Sequence, residues 1–482
     1  MADSQLIKFF KSLNSVEIRQ FKDFVNSPSF NKNQNISLLC EIYYEYFPKF
    51  DFQNMADEKI YENIFGNEKF QYFKYKNLVS DLFALGKEFL AFNAYRKDSQ
   101  GKEKYLLKEL RLKNLDLAFE KSYKYAMKQL EENKLKDENY FRHKFALVYE
   151  ITSYNSPKKP NANLHYFQEE LDNFVFYSVI TLLKYYEIML HENNQNNYRY
   201  DMKMFDYVMK FLESYDSSDN PTLEIHYCII LLEKTKDEKY FYKLKELKNK
   251  YRNLLDPFNN YMIYLHLDGF CAVAFNRHSR TDLLKEQFLL AKENSMIDTN
   301  ELGKVLYPDF LNEVKKAVRV NEFEWAEDYI ERLKGKLNDE KENTLNFCYG
   351  YIAHKKNEYD KALELFSRVN FSNFILKIQV KIHLLQILFD KKYYDEALLM
   401  IDTFRHYLAR EKLILDSIKV SVSEFLKITG ELIKINSDIR NNDYKFDKDF
   451  KIAELKKDIE KMQSNTFGIK LWLRDKINST SV

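Results

Sequence analysis

Hydrophobic residues recur along this chain at the spacing of a helix. In "YFYKLKELKNKYRNLL", Phe241, Leu244, Leu247, Tyr251 and Leu254 fall on one stripe while lysines fill most other positions, which predicts an amphipathic helix. Similar stretches cover most of the sequence. Segments rich in Asn, Ser and Pro interrupt them, because these residues compete with helix: "SYNSPKKPNANLH" after Thr152, "HENNQNNYR" from His191 and "YDSSDNPT" from Tyr215. They predict loops between helix pairs, and the first is the best place for a domain boundary. With only 9 Gly and 7 Pro, a sheet with many turns is not expected, so the fold class is all-α.

The first hundred residues predict a small bundle. "NSVEIRQFKDFVNSPSFNKNQNISLLCEIYYEYFPKF" gives a helix capped at Asn14 or Ser15, a turn at Ser27 and Pro28, and a second helix ending near Pro48. The apolar helix "FKYKNLVSDLFALGKEFLAF" then supplies a surface for the earlier ones to cover.

Further along, one phrase is written three times. "NEFEWAEDYI", "NEYDKALELF" and "KYYDEALLMI" place Ala326, Ala362 and Ala397 at separations of 36 and 35 residues. A helical hairpin repeat needs a small residue where its two helices cross and a large one a turn later to fill the groove beside it. The alanines supply the first, and Ile330, Phe366 and Ile401 the second. Phe323, Tyr359 and Tyr394 stand three residues before each alanine, at the helix start. The unit from Asn343 to Phe374 resembles the tetratricopeptide repeat, with Gly350 twelve residues before Ala362 and with Ala362 and Phe366 matching its Ala-x-x-x-Phe. It departs from that family at Asn346, where Trp is common, at Phe374, where Pro is common, and in its period, against roughly 34 residues. The resemblance implies an α-solenoid of antiparallel helix pairs. Expected parts are a helical cap or bundle over 1–100, a superhelix over 101–440 with its clearest repeats at 305–410, and capping helices over 441–482. "FVNSPSFNKN", "SDLFALGKEFL" and "GIKLWLRDKI" also resemble features of a large group of helical proteins of undefined activity in the Bacteroidota, which implies a bacterial cytoplasm.

Bulk charge adds an exclusion. Lys and Arg number 75 against 73 Asp and Glu, a net charge of +2, so no overall field draws the protein to nucleic acid or an anionic membrane. Aromatic residues reach 16%, with 36 Tyr and 39 Phe, and are read as packing. Cys40, Cys228, Cys271 and Cys348 lie far apart in apolar stretches, without zinc or disulfide spacing. Lys8 and Lys11 interrupt any signal-peptide core, and no apolar run approaches ~18 residues. A cytoplasmic protein with no membrane partner is expected.

Catalytic patterns fail individually. No two glycines lie closer than 15 residues, so neither a phosphate-binding loop nor a nucleophile elbow can form. The pairs His-Glu-x-x-His, Glu-x-x-His and Cys-x-x-Cys are missing, and the nearest approach, Glu187 with His191 one turn later, reads as a solvated surface pair. The expectation is no enzyme, no metal and no cofactor.

Two surfaces remain. Aligning the repeats on their alanines, the tetratricopeptide resemblance implies inward positions at Leu311, Lys315 and Arg319, at Thr344, Phe347, Tyr351 and Lys355, and at Gln379, Ile382 and Gln386. The Lys and Asn of that family's carboxylate clamp are replaced there by Leu311, Phe347 and Ile382 and by Lys315, Tyr351 and Gln386. The reading is therefore a non-catalytic scaffold or adaptor that holds a segment of another protein through Lys315, Arg319, Phe347, Tyr351, Lys355, Gln379 and Gln386. The alternative is an RNA- or ribosome-associated protein using Lys239, Lys243 and Lys250 beside Tyr240, Tyr242 and Tyr251. Near the end, Ile452, Leu455 and Ile459 form the apolar inner face expected of a capping helix.

Overall fold

The computed structural model describes residues 5–50, 56–158, 160–195, 199–216, 220–294, 305–337, 339–411, 414–440 and 448–480. Among these, regular structure is helical throughout, apart from one isolated bridge between Val305 and Leu337. Two compact units form, residues 1–133 with 140–174 and residues 134–139 with 175–482. The division thus falls inside a helix at residue 174, and not near residue 100 or in the polar break after Thr152.

The N-terminal unit holds α1 (Gln5–Ser12), α2 (Glu17–Asn26), α3 (Gln34–Tyr46), α4 (Asp57–Phe65), α5 (Tyr72–Lys97), α6 (Ser99–Leu112), α7 (Asp116–Glu131) and most of α8 (Glu138–Asn155). Asn14 starts α2 through a reciprocal cap. Its Oδ1 accepts from the Val16 and Glu17 amides at 2.9 Å, while Glu17 accepts the Asn14 amide at 3.1 Å. The first five helices bury Phe9, Phe10, Phe21, Tyr43 and Phe89 in one core. Gly86 is where α5 crosses α1, since a Cβ there would stand 2.9 Å from the Phe9 ring.

α9 (Leu164–Gln195) passes from the first unit into the second. It continues beyond His191, where the sequence predicts a loop, because adding residues to an established helix costs far less than nucleating one. The second unit continues with α10 (Phe205–Ser214), α11 (Pro221–Thr235), α12 (Glu238–Tyr251), α13 (Pro257–His278) and α14 (Leu284–Asn294). Asn220 caps α11, accepting the Leu223 amide at 3.2 Å, with Pro221 at the first helical position. The "YDSSDNPT" break lies partly outside the described residues. In α12 the predicted stripe is buried at Phe241, Leu244, Leu247 and Tyr251.

The repeated phrase falls on α15 (Tyr307–Arg319), α16 (Phe323–Leu333), α17 (Lys341–Lys355), α18 (Tyr359–Ser367), α19 (Phe374–Asp390) and α20 (Tyr394–Arg410). Phe323, Tyr359 and Tyr394 are the first residues of α16, α18 and α20, and all three alanines are fully buried. The preceding turns are equivalent too. Asn321, Asn357 and Lys392 have φ of 64°, 61° and 62°, and each following amide, of Glu322, Glu358 and Tyr393, donates to the carbonyl five residues back at 2.9–3.0 Å. A Cβ on Gly350 would meet Leu365 and Phe366 at 3.3 Å, so glycine sets how closely α17 approaches α18.

α21 (Asp416–Arg440), α22 (Lys448–Lys461) and α23 (Ile469–Thr480) complete the unit. Ile452, Leu455 and Ile459 of α22 are buried with Ile469, Leu473 and Ile477 of α23, and Trp472 lies 5.2 Å from Phe389 and 5.7 Å from Phe425 between ring centroids. The segment joining α22 to α23 reaches back to α13. Asn465 is fully buried there; its backbone amide donates to the Asn276 carbonyl and its side-chain amide to that of Phe275. All four cysteines are free and buried, and burial pushes the Cys40, Cys228 and Cys271 thiols up to about 12. They belong to the core as unreactive thiols.

Candidate functional site

The anchored segment before α23 borders a groove of about 1300 Å³ in the second unit. Its other walls come from α13, the ends of α9 and α11, and the starts of α19 and α21. Ala272, Val273, Phe374, Ile375, Ile418 and Phe467 supply half-buried apolar surface, while Lys236, Arg277, Asp416 and Glu424 add charge of both signs.

Ionisable groups from three helices gather behind one wall, of which His191 and Glu233 line the groove. Glu187 and His191 lie one turn apart on α9, His226 and Glu233 two turns apart on α11, and His266 stands on α13. Glu187 is 1% exposed and meets His226 Nδ1 at 2.7 Å, so it is not the solvated partner of His191 that the sequence suggests. His191 turns to α11, with Nδ1 3.8 Å from Glu233 Oε1. His266 Nδ1 approaches that same oxygen at 2.8 Å, and the Lys236 ammonium holds the other. The two imidazoles pack edge to face, centroids 5.6 Å apart, and Gly269 of α13 lies beside the His191 ring.

Electrostatics explains the gathering of donors. Glu233 sits in the last turn of α11, whose unpaired carbonyls form the negative helix end and favour cations. Burial alone would raise its pKa, but His191, His266 and Lys236 outweigh burial and hold the carboxyl well below the usual range. It is therefore an anion whenever the protein is folded near neutral pH.

A second polar network joins α13 to α15. Buried Lys316 reaches Asp268 at 2.7 Å, Glu313 at 3.0 Å and the Tyr264 hydroxyl at 2.6 Å; that hydroxyl in turn donates to Glu313. Burial disfavours the Lys316 charge, but Asp268 and Glu313 raise its pKa above the ordinary value.

The predicted partner-binding residues are placed otherwise than expected. Lys315, Phe347, Tyr351, Gln379 and Gln386 are all buried, Arg319 is half-buried over the Phe275 ring, and Lys355 alone is exposed. The reason is that α15, α17 and α19 pack on one another. Lys315 Nζ donates to Gln379 at 3.0 Å, and the Tyr351 ring lies 5.0 Å from that of His383. Large side chains at these positions fill the space between the helices. On α12, Lys239, Lys243 and Lys250 are exposed, but Lys239 pairs with Asp237 at 3.3 Å and Lys243 with Glu224 at 3.2 Å, which weakens any phosphate-binding stripe. Among the described residues no helix is long and apolar enough to cross a membrane.

No protein-family model matches the chain, and no curated protein or solved structure matches it at a significant level.

Proposed function

We propose that the second unit is an α-solenoid of antiparallel helix pairs, tetratricopeptide-like, acting as a non-catalytic adaptor that takes a segment of another protein into the groove beside α13. The observation that carries this reading is the groove itself. At about 1300 Å³ it exceeds the ~300–1,000 Å³ usual for small-molecule pockets, and apolar surface accompanied by charge suits a chain segment with a few anchoring side chains. The partner site is thus moved from the buried inward positions to a neighbouring opening, keeping only the architecture that the repeats imply.

The test is affinity purification from native lysate of the wild-type chain, a groove variant Val273→Trp and a distant surface variant Val16→Trp, each with and without nuclease. Val273 is half-buried in the groove wall and Val16 is 60% exposed on the other unit. The expected result is a stoichiometric protein that survives nuclease, is retained by Val16→Trp and falls at least ~10-fold with Val273→Trp. Equal recovery by both variants overturns the groove as the site. A set that collapses after nuclease overturns the adaptor reading in favour of RNA contacts through α12.

A further inference from the structure

Glu187 and His226 show what a pair that only fastens helices looks like in this unit: one ring and one carboxylate at 2.7 Å, both buried. Glu233 is built differently. Two imidazoles from two other helices converge on one of its oxygens, at 2.8 Å from His266 and 3.8 Å from His191. The second distance is longer than a hydrogen bond. It does lie within the ~4.2 Å that can separate two donors each ~2.1 Å from a shared ion. One nitrogen of each ring and one Glu233 oxygen all lie within 4.8 Å of one another. His266, only 1% exposed, also has a second ring nitrogen, Nε2, without a hydrogen-bond partner among the described residues. His191 and Glu233 border the groove, which gives an ion both a way in and open positions facing out.

We propose that His191, Glu233 and His266 bind a divalent first-row transition-metal ion of the zinc class at the groove wall. Two imidazoles and a carboxylate suit such an ion, whereas calcium and magnesium take oxygen ligands almost exclusively. Lys236 has a part in this arrangement. By holding the other oxygen of Glu233 it fixes the carboxylate so that Oε1 faces the rings, the role that outer partners of metal ligands commonly play. Binding displaces the proton between His266 Nδ1 and Glu233 from that nitrogen, and the ring then carries its N–H on Nε2. The inference stands apart from the adaptor reading, since an ion can bind whether or not a protein segment does.

The test uses the full chain stripped with chelator, then titrated with Zn²⁺ by calorimetry and with Co²⁺ by visible absorption. One ion per chain is expected, with cobalt bands that zinc displaces. His191→Ala and Glu233→Gln should each weaken binding by at least ~100-fold, while His226→Gln, one pair away, leaves it unchanged. His191 is half-buried, so His191→Ala is the variant least liable to unfold and decides the matter if a His266→Ala chain does not fold. The proposal is overturned if the wild-type chain shows no saturable zinc binding, or if His191→Ala leaves affinity and cobalt spectrum unchanged.

Discussion

Within the second unit, the helices from α15 to α20 and the trio of α11, α13 and the later part of α9 each bury one face, and the two groups are held by different chemistry. Between α15 and α20 the crossings rest on Ala326, Ala362 and Ala397 with Ile330, Phe366 and Ile401 beside them, shape filled by small and large apolar groups. Among α9, α11 and α13 the contacts include buried carboxylate–imidazole contacts, Glu187 with His226 and Glu233 with His266, beside apolar ones. Position along a helical stripe therefore decides burial, whatever the residue. Apolar contacts tolerate small shifts, whereas a buried carboxylate demands its partner within a few tenths of an ångström.

The largest break of that comparison is expected where the regions meet, at α15. Lys316→Ala leaves Asp268 and Glu313 facing each other without the buried ammonium between them, and should cost ~3–5 kcal/mol. Both tryptophans, Trp325 and Trp472, lie in the second unit, so urea unfolding followed by tryptophan fluorescence reads this unit alone. Adding Glu313→Gln should recover part of the loss, because the stranded carboxylate is its main source. A loss below ~1 kcal/mol would mean that the network is solvated in practice.

In the repeat region the same measurement should give a smaller effect. Ala362→Leu inserts three carbons at a fully buried crossing and is expected to cost ~1–3 kcal/mol, while Lys361→Leu, on the exposed side of the same helix, should stay within ~0.5 kcal/mol. Equal effects would show that the alanine spacing does not mark the crossing.

This contrast also explains what the sequence made legible. The alanines, the aromatic helix starts and Gly350 act over a few residues and repeat, so their spacing alone reveals helix pairs. The turn at Asn114 has the same geometry, φ 55° with the Leu115 amide donating to the Leu110 carbonyl at 2.9 Å, but buried Phe119 occupies the alanine's slot and the phrase is unrecognisable. Glu187 and His191 are one turn apart whether they face water or a neighbour, and their partners lie 39 and 42 residues along the chain. A signal was present, since Glu187 continues the stripe of Ile180 and Leu183, and His226 that of Leu223 and Ile230. The inward positions are buried for another reason. The tetratricopeptide resemblance supplies register but not side-chain volume, and Phe347 and Tyr351 close what smaller residues would leave open.

The smallest expected effect concerns the lysine next to the network, and it has the opposite sign. Lys315 is buried toward Gln379 with no carboxylate in reach among the described residues, and burial, then the charges of Arg319 and Lys316, depress its pKa to about 7; Cys348 and Asp268 pull weakly the other way. Because the unfolded chain keeps that proton up to its ordinary value of 10.5, it holds more protons than the folded chain between the two values. The contribution to stability is therefore fully present above the unfolded value, and is lost as pH falls toward about 7. Lys315→Met removes the cost of neutralising or burying the charge and should stabilise the second unit by ~1 kcal/mol or more at pH 7. The advantage should shrink as pH rises to about 8.5, at up to ~1.4 kcal/mol per pH unit, since the thiols that begin to titrate there are the same in both chains. Parallel urea midpoints for the two chains across that window test it: a gap that stays constant with pH would mean that Lys315 keeps its charge where the apolar and polar regions meet.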